Sequence, residues 1–125
     1  DPDKLLNLLE SLRMPKKLTE FAQLFSESLR DGFENAADGK SVLSVLRRKD
    51  ALRRPERFAQ LLRLLKAAHR IDSDEKWLTS VEAVRSLDFR SISESATDKS
   101  RIPQLIEEAS VRAIDETLDK LTDQH

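Results

Sequence analysis

The residues of this 125-residue chain that are best suited to chemistry are arginines concentrated in one stretch. Residues 40–70, here called the basic hairpin, carry ten basic and two acidic side chains, a net charge of +8. Seven of the ten are arginines, whose planar guanidinium groups match phosphate oxygens. These candidate phosphate-binding residues are Arg47, Arg48, Arg53, Arg54, Arg57, Arg63 and Arg70. One hypothesis is therefore a surface that binds phosphate groups.

The same charge could instead be neutralised within the chain. Residues 1–39 have a net charge of −3 and residues 71–125 have −6, so the overall charge of −1 is a cancellation. Acidic helices could cover the basic hairpin through ion pairs, which contribute about 0–1 kcal/mol each when exposed. The sequence leaves both interpretations open.

The aromatic residues limit the kind of nucleic acid that the basic hairpin could bind. The chain has no Tyr and one Trp, and its five Phe lie on apolar stripes or at loop anchors. No side chain is an obvious platform for stacking bases, which argues against a module that reads single-stranded sequence. Contacts to a folded RNA backbone require charge and shape rather than aromatic rings, so they remain possible.

Residues for catalysis or metal binding are scarce. His125 is the last residue, and helical periodicity places His69 on an apolar face beside Leu62 and Leu65, where a structural role is expected. The two glycines are too far apart for a phosphate-binding loop. Adjacent carboxylates occur at Glu107-Glu108 and Asp115-Glu116, where they are expected to face solvent. We expect no catalytic site, no metal site and no bound cofactor in this chain.

Apolar residues recur with helical spacing almost everywhere, which predicts an all-α fold: a compact bundle of about six helices. The expected helices cover residues 3–12, Pro15 to Asp31, residues 40–49, Pro55 to about Arg70, a segment carrying Trp77 to Leu87, and residues 103–121. Phe58, Leu61, Leu65 and Trp77 are expected to hold this scaffold together.

Local signals refine the ends of these helices. Ser41 is a plausible N-cap for residues 40–49, and Asp72 to Glu75 has the spacing of a capping box. Residues 88–101 are Ser-rich and predict a broken segment, attached to the core by Phe89 and Ile92.

Length and composition predict one soluble, cytoplasmic domain covering residues 1–125. The absence of Cys excludes disulfides and Cys-based zinc sites. The longest runs without a charged residue, such as Ser41 to Leu46, are too short for a membrane helix or a signal peptide. The chain begins with Asp1 rather than Met, from which we expect a fragment of a longer protein. Its oligomeric state stays open.

The run from Arg53 to Leu61 resembles a segment of the bacterial tRNA CCA-adding enzymes that carry a C-terminal HD domain. That segment has a basic residue, a basic or polar residue, Pro, any residue, Arg and then an apolar helix. Further similar segments, in the same order along nearly the whole chain, are Leu12-Arg13-Met14-Pro15, Ser41 to Leu46 before Asp50-Ala51, Trp77-Leu78 and the terminal helix with Ile106, Ala109 and Ile114.

The resemblance implies the helical C-terminal body and tail of a tRNA nucleotidyltransferase, which hold the tRNA. It also implies that catalysis with Mg²⁺, ATP and CTP belongs to a head domain outside this chain. The only residues of the family's motifs that the resemblance assigns to this chain are Arg54, Pro55 and Arg57. The run from Lys66 to Asp72 lacks the family's acidic positions and its Gly-Arg pair. The alternative is a helical protein-interaction or regulatory domain with a basic surface and no RNA partner.

Overall fold

The computed structural model describes Pro2, Lys4 and residues 16–123, and the prediction of a helix over residues 3–12 lies largely outside them. The elements within residues 16–123 are six α-helices and two 3₁₀ turns, without a strand. The helices are α1 (Lys16–Asp31), α2 (Gly39–Arg48), α3 (Pro55–Ala67), α4 (Glu75–Arg85), α5 (Phe89–Ser95) and α6 (Ile102–Asp123), and the turns are Phe33–Asn35 and Lys99–Arg101. The prediction of an all-α fold is confirmed.

Helix α3 lies at the centre of the fold. Pro55 occupies its first turn, where the missing N–H costs nothing, and four of its apolar side chains are completely buried. They are Phe58, Leu61, Leu62 and Leu65, as the periodicity predicts. The ring of Phe58 lies 6.1 Å from Trp77 of α4 and 6.1 Å from Phe33 in the first 3₁₀ turn, measured between centroids. Burial of such side chains contributes about 1.5–3 kcal/mol each.

The contacts between the helices fall into two groups. Helix α6 packs against α2, α4 and α5, whereas α1 packs against α3. The predicted apolar stripe of α1 is only partly covered by the described residues: Ala22 is buried, Phe21 and Phe25 are half-buried, and Leu18 is 39% exposed. No helix in the described part of the chain is both long and apolar enough to cross a membrane.

Helices α2 and α3 both end in a Schellman motif. After α3, the N–H groups of His69 and Arg70 donate to the carbonyls of Lys66 and Leu65, and His69 adopts a left-handed φ of 60°. The prediction that His69 lies on the apolar face of a helix is wrong, because the helix ends at Ala67 and His69 is exposed.

Asp50 has the corresponding position after α2, with φ 57°. The N–H of the next residue, Ala51, donates to the carbonyl of Leu46, and Ala51 is completely buried. This motif reverses the chain between α2 and α3, so the turn of the basic hairpin is anchored to the core.

Three further predictions need correction. The N-cap of α2 is Asp38 rather than Ser41, since a carboxylate oxygen of Asp38 accepts a hydrogen bond of 2.8 Å from the backbone N–H of Ser41. The segment predicted as broken contains α5, which Asp88 caps in the same way. Phe89 does not anchor this segment, because it is 37% exposed.

The predicted capping box is also wrong. Helix α4 begins at Glu75, and its N-cap residue Asp74 makes no side-chain capping bond. The hydroxyl of Ser73 instead accepts a hydrogen bond of 3.1 Å from the Glu75 N–H.

Candidate nucleic-acid interface

The seven candidate arginines follow the path of the basic hairpin. Arg47 and Arg48 form the last turn of α2, Arg53 and Arg54 lie in the connection, and Arg57 and Arg63 are on α3. Arg70 belongs to the Schellman motif that ends α3. The hairpin therefore distributes guanidinium groups along two helices and the turn between them.

Arg53 and Arg54 flank the carboxylate of Asp50 at this turn. Nη2 of Arg53 lies 2.8 Å from Oδ2 of Asp50, and Nε of Arg54 lies 3.7 Å from the same oxygen. Their side chains remain 74% and 50% exposed. One carboxylate thus positions two guanidinium groups at the surface, and together the three side chains retain a positive charge.

Arg57 is held against the connection between α2 and α3. Its Nη2 donates a hydrogen bond of 3.2 Å to the backbone carbonyl of Lys49. Its Nε is shielded from solvent and has no acceptor among the described residues. Arg57 therefore has a structural role in addition to any contact with a ligand.

Two other candidates are neutralised across the fold, as the intramolecular interpretation anticipates. Nη1 of Arg47 lies 3.0 Å from Oε1 of Glu107 on α6, and Nη2 of Arg70 lies 3.1 Å from Oε1 of Glu34. Only the first of these partners belongs to an acidic helix that follows the basic hairpin. Arg48 and Arg63 are exposed and form no ion pair with the residues that the structure describes.

Lys49, another cation of the basic hairpin, is buried. Its Nζ lies 2.6 Å from Oδ2 of Asp31 and 5.5 Å from the centroid of the Phe33 ring, and its side chain is 4% exposed. Asp31 also accepts a hydrogen bond of 3.0 Å from the Phe33 N–H. Lys49 therefore links the end of α2 to the end of α1, and its buried ammonium group is not positioned to contact a phosphate group.

Two basic residues outside residues 40–70 lie close to this surface. Arg85 of α4 donates a hydrogen bond of 3.0 Å to the backbone carbonyl of Leu52, which places it at the α2–α3 connection. Lys17 of α1 lines the same groove as Arg53 and Arg57. Both positions depend on helix packing, so division of the sequence into charge blocks does not find them.

That groove, the α1–α3 groove, has a volume of about 720 Å³. Its lining residues are Lys17, Leu18 and Phe21 from α1, Arg53 and Arg54 from the connection, and Glu56, Arg57 and Gln60 from α3. Positive charge and apolar surface therefore lie side by side.

The described residues do not form a metal site: none of their His, Asp and Glu side chains form a group of three that could hold an ion. The described residues therefore do not supply the group of carboxylates that would hold the Mg²⁺ of a nucleotidyltransferase. The lowered pKa of Asp38 has a local cause, since the Ser41 side chain and backbone both donate hydrogen bonds to its carboxylate.

Fold and surface define an all-α domain with an arginine-rich face. The chain is 35% identical over 123 residues to a Multifunctional CCA protein of Dechloromonas aromatica, which covers 90% of this chain and 30% of that protein. A Multifunctional CCA protein of Aromatoleum aromaticum is 40% identical over 83 residues, covering 59% of this chain and 20% of that protein. A CCA-adding enzyme of Bordetella pertussis is 32% identical over 104 residues, covering 82% and 28%.

The chain is therefore homologous to part of the CCA-adding enzymes, and the resemblance found in the sequence is confirmed. It spans only 20–30% of the length of these relatives. No protein-family model matches the chain, and no solved structure matches it.

Proposed function

We propose that this chain is a non-catalytic, tRNA-binding helical domain of a cytoplasmic CCA-adding tRNA nucleotidyltransferase. The complete enzyme would add CCA to tRNA 3′ ends with CTP and ATP, and a head domain outside this chain would bind the nucleotides and Mg²⁺. The basic hairpin would hold the tRNA by its phosphate backbone.

The observation that carries this proposal is the exposed charge at the α2–α3 turn of a chain homologous to CCA-adding enzymes. Arg53 and Arg54 share one carboxylate, and Arg48 and Arg63 have no ion-pair partner among the described residues. If the acidic helices neutralised the whole hairpin, these four guanidinium groups would be paired with them. We assign phosphate contacts chiefly to these four, and assign Arg47, Arg57 and Arg70 contacts that also stabilise the fold.

The test is a salt titration of tRNA binding, because each phosphate contact releases counterions and makes the affinity fall with ionic strength. We expect Arg53→Gln with Arg54→Gln to weaken tRNA binding and to reduce the slope of log K against log salt by about two, roughly one unit per lost contact.

The matched control is Arg47→Gln with Arg70→Gln, which removes the same charge from two residues that already have carboxylate partners. Because Arg47 and Arg70 are partly neutralised by these carboxylates, we expect the salt slope of this variant to fall by less than that of Arg53→Gln with Arg54→Gln. Absence of tRNA binding, or equal slopes for both double variants, would contradict the proposed function.

The alternative, a protein-interaction domain whose basic surface binds acidic protein segments, is favoured by the pairs Arg47–Glu107 and Arg70–Glu34. It predicts no affinity for tRNA and a loss of stability when the arginines are neutralised. The salt titration described above distinguishes the two functions, because only our proposal expects tRNA to bind.

A further inference from the structure

The α1–α3 groove has two walls of different chemistry. Leu18 and Phe21 from α1 supply apolar surface, and Leu18 is 39% exposed. The connection and α3 supply Arg53, Arg54 and Arg57. A surface that only contacted a phosphate backbone would need the cations and would gain nothing from the exposed apolar wall.

The positive charge of the groove is in excess. Among the residues that the structure describes, Lys17, Arg53, Arg54 and Arg57 line it together with one carboxylate, that of Glu56. Asp50 offsets one further charge, through its contacts with Arg53 and Arg54. The ligand that complements this groove therefore carries negative charge at one end.

The guanidinium groups are restrained before any ligand binds. Arg57 is tied to the Lys49 carbonyl, and Arg53 donates hydrogen bonds from both Nε and Nη2 to Asp50. Restrained side chains lose less conformational entropy on binding than mobile ones do. The exposed amide of Gln60 adds a donor and an acceptor within the same groove.

We propose that the α1–α3 groove binds one unpaired nucleotide of an RNA, with its base against Leu18 and Phe21 and its phosphate at Arg53, Arg54 and Arg57. A volume of about 720 Å³ is in the range of small-ligand sites and accommodates a nucleotide. The inference rests on the proposed function and adds to it a recognition element. It also revises the expectation that all five Phe are unavailable to bases, since Phe21 lines this groove.

The test compares two RNA duplexes of equal length, one fully paired and one with a single bulged 2-aminopurine. We expect this chain to bind the bulged duplex about tenfold more tightly, and its 2-aminopurine fluorescence to change when the base enters the groove. Leu18→Ser should abolish both the preference and the fluorescence change, while affinity for the paired duplex stays within about twofold.

The control is Leu64→Ser, which removes a leucine of similar exposure, 41%, on α3 but outside the groove. It should retain the preference for the bulged duplex. Equal affinity for the two duplexes, or a preference that survives Leu18→Ser, would overturn the nucleotide site while leaving backbone binding intact. Absence of salt-dependent binding to either RNA would overturn the proposed function itself. Displacement of the bulged duplex by an acidic peptide at a lower concentration than the unlabelled bulged duplex requires would assign the groove to a protein partner and overturn the inference.

Discussion

The carboxylate of Asp115 on α6 accepts a hydrogen bond of 2.7 Å from the backbone N–H of Gly39, the first residue of α2. The contact places a negative charge at the positive end of the α2 dipole. It also brings the helices so close that a Cβ on Gly39 would lie 2.5 Å from the Val111 carbonyl oxygen. The orientation of the basic hairpin on α6 depends on this approach.

Gly39→Ala should therefore lower the free energy of unfolding, by about 1–3 kcal/mol as for other overpacked sites. The added methyl group meets backbone on one side and the Asp115 side chain on the other, so α2 must move away from α6. Urea unfolding monitored by circular dichroism measures the change. Ser44→Ala, at an exposed position of the same helix, should leave stability nearly unchanged.

His69→Gly should stabilise the protein by about 0.5–1 kcal/mol. His69 is held at φ 60° at the end of α3, a conformation that glycine adopts without steric cost. The neighbouring change Ala68→Gly is the control, because Ala68 has φ −84° and gains nothing from glycine. If both variants lost stability equally, the left-handed turn would not be strained at His69.

At Asp50, substitution by glycine is expected to affect RNA binding as well as the backbone. It has a similar left-handed φ, but its carboxylate also positions Arg53 and Arg54. Asp50→Gly should therefore relieve backbone strain and at the same time release both guanidinium groups. We expect the salt slope of tRNA binding to persist, because the charges remain, while the preference for a bulged duplex falls.

The sequence predicts well those features that depend on neighbours along the chain. The periodicity of Phe58, Leu61 and Leu65 determines the buried face of α3, and Pro55 determines its first turn. The sequence does not predict the end of α3, because Ala68 and His69 continue the helical pattern and no glycine marks the residue at which the backbone becomes left-handed.

The contacts of the candidate site also differ in whether they can be predicted from the sequence. The contact of Arg53 with Asp50 is local, three residues apart, and it could be expected from the sequence. The positions of Lys17 in the α1–α3 groove and of Arg85 beside Leu52 result from the packing of separate helices. The pattern of residues within one helix does not predict such contacts between helices. The burial of Lys49 against Asp31 of α1 is not predicted by the sequence for the same reason.

The ion pair between Lys49 and Asp31 should respond asymmetrically to loss of either partner. Asp31→Asn leaves the Lys49 ammonium, whose side chain is 4% exposed, without a counter-charge, whereas Lys49→Met leaves Asp31, at 27% exposed, able to contact water. We expect Asp31→Asn to lower the free energy of unfolding more than Lys49→Met does, measured by urea unfolding. Lys49→Met should also leave the salt slope of tRNA binding unchanged, and a reduced slope would identify Lys49 as a phosphate contact.

The caps of α2, α5 and the second 3₁₀ turn should make stability dependent on pH in acid. Hydrogen bonds from Ser41, Ser91 and Ser100 lower the pKa of Asp38, Asp88 and Asp98 below 3.8, the value expected when unfolded.

Because these folded-state pKa values are depressed, the stabilisation is complete above 3.8 and is lost as the pH falls through the lower folded values. Asp38→Asn keeps a good capping residue but no titrating group, so its stability should fall less between pH 5 and pH 2 than that of the unsubstituted chain. Urea unfolding at several pH values measures this difference, and an unchanged pH dependence would mean that the Asp38 cap contributes no proton-linked stability.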